Sequence, residues 1–198
     1  MKRIFKQNIK LQKDEIILYT VRDSSFIDKL FKKKIIYPDK NIILKDKKEW
    51  GFIKPYNWIN QKCKERIPNY NQDFPFWAWE KRPHANSVKI EFKKNENFYI
   101  IKLKININQC LFSDFEKWHF VLNDWYLPFN LDDSNINNKY DNISVFENKG
   151  SKKLINEVLY SWNNIFELEK NKLKQCCFPC ISLDNVLEIN EYKGNQKN

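Results

Sequence analysis

Glycine occurs only three times in this chain of 198 residues, as Gly51, Gly150 and Gly194. That scarcity limits what the chain can be more than any motif it contains. Phosphate loops of the Walker type and Rossmann dinucleotide turns need clustered glycines, both for tight turning and for close approach of the backbone to phosphate. Both classes are excluded.

Seven Trp, nine Tyr and fifteen Phe supply enough large apolar side chains for a folded core. The length suits one domain over residues 1–198, with a basic N-terminal extension (1–14), a polar Asn/Asp loop (131–150) and a short tail (194–198). No apolar run approaches the roughly 18 residues that span a bilayer. MKRIFKQNIKLQKDEIIL is basic but carries no continuous hydrophobic region or small-residue cleavage site, so a cytoplasmic protein without membrane contact is expected. The net charge of +10 has two readings: a phosphate-bearing partner, nucleotide or nucleic acid, or an AT-rich compositional drift that adds Lys to surfaces.

Five cysteines, Cys63, Cys110, Cys176, Cys177 and Cys180, are expected as reduced thiols. Cys177-Phe178-Pro179-Cys180 is formally a CxxC, but zinc needs a second ligand pair and a redox pair needs a helix start. No metal site is expected.

Along the chain, IILYTV (16–21) reads as a buried strand, and Asp23 or Ser24 caps a helix with Phe26, Ile27, Leu30 and Phe31 on one face. Residues 38–50 read as a loop with a short extended piece at 42–44. Pro55 opens a second helix that buries Ile59, Cys63 and Ile67 before Pro68 ends it. FPFWAW (74–79) reads as extended, followed by strands VKIEF (88–92) and FYIIKLKI (98–105). In LFSDFEKWHFVLNDWYLPF the spacing predicts a helix with a Ser113–Glu116 capping box and an apolar stripe of Phe115, Trp118, Leu122, Trp125 and Tyr126, stopped by Pro128. A long helix starts near Ser151, and CFPCISL and VLEINEY close the chain as strands. The irregular alternation of elements predicts an α+β fold, a mainly antiparallel sheet flanked by helices.

Two constellations carry chemistry. His119 sits at the border of the apolar stripe with Glu116 one turn before it and Asn123 one turn after. Such a column, with Asp114, supplies acid/base candidates or a structural hydrogen-bond pair. Trp77 and Trp79 share one face of an extended segment, where two indoles can sandwich a base, with Lys81 and Arg82 nearby for phosphate, or simply fill a core.

ILYTVR, FPFWAWEKRP, LFSDFEKWHFVLNDWYL, SWNNIF and QCCFPCISLDNVLEI are similar, in that order, to motifs of a bacterial family known as domain of unknown function 3841. The resemblance runs from about Ile16 to Lys193, with extra residues around 84–97 and a cysteine-rich CCFPC after Gln175. More remotely, the opening strand and helix, GFI, and the closing pair of strands resemble small ADP-ribosyltransferase-type domains. That resemblance implies a NAD or nucleotide cleft floored by Tyr19, Thr20 and Arg22, with Trp77 and Trp79 stacking. It also implies that Thr20 and Gln175 stand where such enzymes carry a histidine-type contact and a catalytic glutamate, so conventional NAD-dependent transfer lacks its carboxylate. The rival expectation is a non-enzymatic module: RNA binding through Lys89, Lys93, Lys102 and Lys104 on a sheet face, or protein interaction through the aromatics.

Overall fold

The protein is described from a computed structural model that covers residues 1–49, 51–129 and 137–196. It is α+β. Seven antiparallel strands form one sheet: β1 (Lys2–Lys6), β2 (Glu15–Asp23), β4 (Phe76–Trp79), β5 (Asn97–Asn106), β6 (Leu111–Asp114), β7 (Lys174–Phe178) and β9 (Val186–Lys193). Their order across the sheet is β1-β9-β5-β2-β4-β7-β6. A second, two-stranded sheet pairs β3 (Ile35–Ile36) with β8 (Ile181–Ser182).

Alternation decides which face each residue takes. On one face Leu18, Ile101, Leu103, Ile189, Ala78, Cys176 and Phe178 pack beneath Ile27 and Leu30 of helix α1 (Ser24–Lys33) and Ile181 of β8. On the other face, the β4-β7-β6 half is covered by α3 (Ile53–Arg66), α5 (Phe115–Leu122) and α7 (Lys152–Ser161), whose Ile59, Cys63, Trp118, Val121 and Val158 meet Leu111 and Cys177. Among the described residues, the β2-β5-β9 half of that face is closed only at one end, by Val88 at the close of α4 (Ala85–Val88) with Phe98 and Ile100.

Several expectations change. Residues 40–49 form helix α2 (Lys40–Glu49), not a loop, because the Asp39 carboxylate accepts the backbone N–H groups of Asn41 and Ile42 and no Gly or Pro interrupts before Gly51. VKIEF is not a strand. Val88 ends α4, residues 89–91 make a 3-10 turn, and Phe92 stacks on Phe98 at 4.9 Å. Lys2–Lys6, inside the expected extension, is an edge strand registered on β9.

The cap of α5 is Asp114, the last residue of β6, which accepts from Glu116 N and Lys117 N, whereas the Ser113 hydroxyl has no partner. The helix also ends early. Asp124 takes φ +62° and its carboxylate accepts from Ser144 Oγ, Val145 N and Phe146 N, so Trp125 leaves the stripe and stands 57% exposed. CFPCISL is split at residues 179–180 between β7 and β8. Of the polar 131–150 segment, residues 137–140 form a short helix, α6 (Asn137–Tyr140), and residues 130–136 lie outside the described residues. The scarce glycines serve turns: Gly150 has φ +109° just before Ser151, the cap of α7.

Candidate functional site

The two halves of the large sheet meet where β2 pairs with β4, and there a single residue pair is in register, Tyr19 with Trp79. Thr20 Oγ1 adds one tie by donating to the Trp77 carbonyl at 2.9 Å. Beyond it the strands part. A cavity of about 460 Å³ opens between them, lined by Arg22 from β2, Phe76 and Trp77 from β4, Phe26 from α1, Ile43 from α2 and Tyr56 from α3.

Two residues that line this cavity each hold a buried donor without an acceptor. The Arg22 guanidinium carbon lies 5.1 Å from the Phe26 ring centroid and 4.9 Å from that of Phe76, and Nη1 donates to its neighbour's carbonyl, Val21 O, at 3.1 Å. Its Nε is buried without a partner. Desolvation pulls the Arg22 pKa down to about 10, opposed by Asp23, so the group stays cationic at neutral pH. The indole Nε1 of Trp77 is likewise buried and unpartnered, while its ring packs on Trp118 at 5.1 Å and edge-on to Tyr56 at 6.1 Å.

Lys29 and Lys33 add positive charge to the lining. Both acids there are engaged at helix starts: Asp23 accepts Phe26 N at 2.7 Å, and Asp39 accepts Asn41 N at 3.0 Å. Buried donors of this kind cost free energy until an acceptor reaches them. The arrangement suits an anion joined to a flat ring.

The other expected residues are placed as follows. Registered pairs put Ser113, Gln175, Trp79, Tyr19, Lys102, Glu188 and Lys6 in one cross-strand row that runs across all seven strands on one face. Gln175, Trp79 and Tyr19 are therefore immediate neighbours. Thr20 and Arg22 point to the opposite face, and Thr20 is buried as a strut. Tyr19 and Thr20 do not line the cavity floor, and Trp79 does not flank Trp77 there. Gln175 is 5% exposed, its Nε2 unpartnered, opposite Ser113 whose Oγ is also unpartnered.

His119 is exposed, donates through Nδ1 to Phe115 O at 2.9 Å and packs its ring edge-on to Phe115. Glu116 is exposed and pairs with Lys172 at 3.1 Å. Asp114 is a buried cap, so the three acid/base candidates point in separate directions and none lines the cavity. Of the basic quartet, Lys104 is bound to Glu15 at 2.7 Å, and Lys89 sits in the turn after α4.

The five cysteines are free thiols, and among the described residues no group of three or more His, Cys, Asp or Glu side chains could hold a metal ion. No helix among the described residues is long and apolar enough to cross a membrane. Sequence reasoning missed Tyr56, Phe76 and the α2 wall; Asp39 as a helix cap was the available signal for α2.

A family model described as Domain of unknown function (DUF3841) matches residues 17–186, and the chain belongs to that family. No curated protein and no solved structure gives a match to the chain.

Proposed function

We propose that this member of the DUF3841 family is a nucleotide-binding domain, taking NAD or a related nucleotide in the cleft where β2 and β4 part. Arg22 holds phosphate, and Trp77 with Tyr56 frames the ring. The observation that carries this reading is the pair of buried, acceptor-less donors, Arg22 Nε and Trp77 Nε1, at one cavity. A volume of about 460 Å³ falls in the usual range for small-molecule sites, roughly 300–1,000 Å³. Cradling by strand ends and side chains also needs no glycine loop, which agrees with the resemblance to ADP-ribosyltransferase-type domains.

The role proposed is binding. Transfer of ADP-ribose calls for a free carboxylate beside the ribose, and the two carboxylates lining this cleft are engaged by helix N–H groups. Gln175 supplies none.

Titration of tryptophan fluorescence with NAD, with AMP and a short RNA as comparators, tests the reading. Saturable quenching by NAD, weakened little by salt and with affinity reduced about tenfold or more in Arg22→Met, is expected. No response to NAD or AMP, with a response to RNA that falls steeply with salt, retires it in favour of a nucleic-acid-binding module.

A further inference from the structure

The polar row on the face opposite Arg22 contains a second, smaller site. We propose that it binds a small hydroxy acid, a carboxylate with a hydroxyl on the neighbouring carbon, between Tyr19, Lys102, Glu188 and Asn190. The cavity there measures about 150 Å³ and is also lined by Ile100 and Arg82. That is the liquid volume of about five waters, too small for a nucleotide. Register explains its assembly: Tyr19 faces Lys102, Lys102 faces Glu188, and Ile100 faces Asn190.

Asn190 is 3% exposed, yet its Oδ1 has no partner. Its amide cannot simply be turned over. Nδ2 donates to Glu188 Oε1 at 2.8 Å, and the reverse orientation would set two acceptors against each other. Asn190 therefore lines the cavity and holds a buried acceptor of fixed orientation, which a donor from the ligand would satisfy.

The charges decide the rest. Glu188 is held below the usual carboxylate range by the Asn190 hydrogen bond, then by Arg3 and Arg82, and Arg3 Nε meets it at 3.3 Å. Lys102 has no hydrogen bond or ion pair among the described residues. Arg82 donates to the Tyr192 hydroxyl at 2.7 Å. The lining thus carries two cations, Lys102 and Arg82, against one carboxylate, Glu188, that Arg3 already pairs, which selects an anion. A hydroxyl satisfies Asn190 Oδ1 without adding a third cation, as the ammonium of an amino acid would.

The test is an NMR titration of the ¹⁵N-labelled full chain with glycerate, propionate and alanine. Glycerate is expected to shift the amides around residues 100–102 and 188–190 saturably, and to bind at least tenfold more tightly than propionate or alanine. Lys102→Met is expected to weaken glycerate about tenfold or more, the loss of one charge-assisted hydrogen bond. Equal binding of glycerate and propionate, no shift at those strands, or unchanged affinity in Lys102→Met overturns the proposal. Should Lys102→Met fail to fold, Arg82→Gln, at an exposed position, is expected to weaken glycerate to the same extent, and unchanged affinity there overturns the proposal equally. Arg22 lies on the opposite face, so the outcome is independent of nucleotide binding in the cleft.

Discussion

Tyr19 and Trp79 form the one registered pair between β2 and β4, and the sheet opens immediately beyond them. By contrast, β2 and β5 stay in register from Glu15–Asn106 to Asp23–Phe98. The junction is therefore the weakest seam of the sheet, and a cavity of about 460 Å³ whose lining residues hold two buried, unpartnered donors lies at that seam. Separation along the row also matters. Gln175 and Glu188 stand four strands apart, about 19 Å at roughly 4.8 Å per strand, so they serve different ligands or none in common.

Arg22 is a partly desolvated cation held by two rings and one carbonyl. Its replacement by Met removes an incompletely solvated charge and keeps the stem. Arg22→Met is expected to raise the stability of the ligand-free protein by about 1 kcal/mol, or about 2–4 °C in Tm, while reducing nucleotide affinity by about tenfold or more. Thermal melts and titrations of the same preparation check both signs.

How much of this was legible in the sequence depends on the kind of signal. The alternation in residues 98–105 and the helical spacing after Ser151 gave β5 and α7, because burial on one face fixes such periods. Asp114 and Ser113 differ by one residue as caps, and the choice is decided by the Asp114 carboxylate, which accepts from Glu116 N and Lys117 N. VKIEF carries β-branched residues yet turns, since Val88 and Phe92 both pack toward Phe98. At the site, Arg22 and Trp77 could be named from sequence. Their meeting could not, because they belong to opposite faces and converge only where the strands part.

Glu15 and Lys104 form a partly buried pair at 2.7 Å, and Glu15 is depressed first by that hydrogen bond and then by the Gln12 backbone N–H. A depressed carboxylate stabilises the fold fully above its unfolded pKa, about 4.3, and loses that contribution as pH falls through the lower folded value. Glu15→Gln is expected to lower Tm at pH 7, with the gap to the parent closing progressively below about pH 4. A gap that persists unchanged at pH 2 contradicts the pairing.

Asp124 combines φ +62° with three accepted hydrogen bonds from residues 144–146. Asp124→Ala is expected to cost about 2–4 kcal/mol, and Asp124→Asn clearly less, because Asn tolerates the left-handed region and keeps one acceptor oxygen. Urea denaturation of both variants gives the comparison.

Burial pushes the thiols of Cys176 and Cys177 well up, with hydrogen bonds to Cys110 and Cys63 adding to the effect. Cys63, Cys176 and Cys177 are fully buried, whereas Cys110 and Cys180 are half-buried. In a disulfide-exchange reagent at pH 8, at most two thiols are expected to react promptly in the folded protein and all five after unfolding. Prompt reaction of a third thiol contradicts the packing of β7 against α3 on one face or α1 on the other.

The most direct measurement follows the Trp77 indole N–H itself. In ¹⁵N spectra its resonance is the one lost in Trp77→Phe, a substitution that keeps a ring against Trp118 and Tyr56. Addition of NAD is expected to move that resonance downfield and saturably as Nε1 gains its acceptor, while the Trp79 indole, lost in Trp79→Phe, moves far less. An unmoved Trp77 resonance at saturating NAD and AMP contradicts the nucleotide cleft.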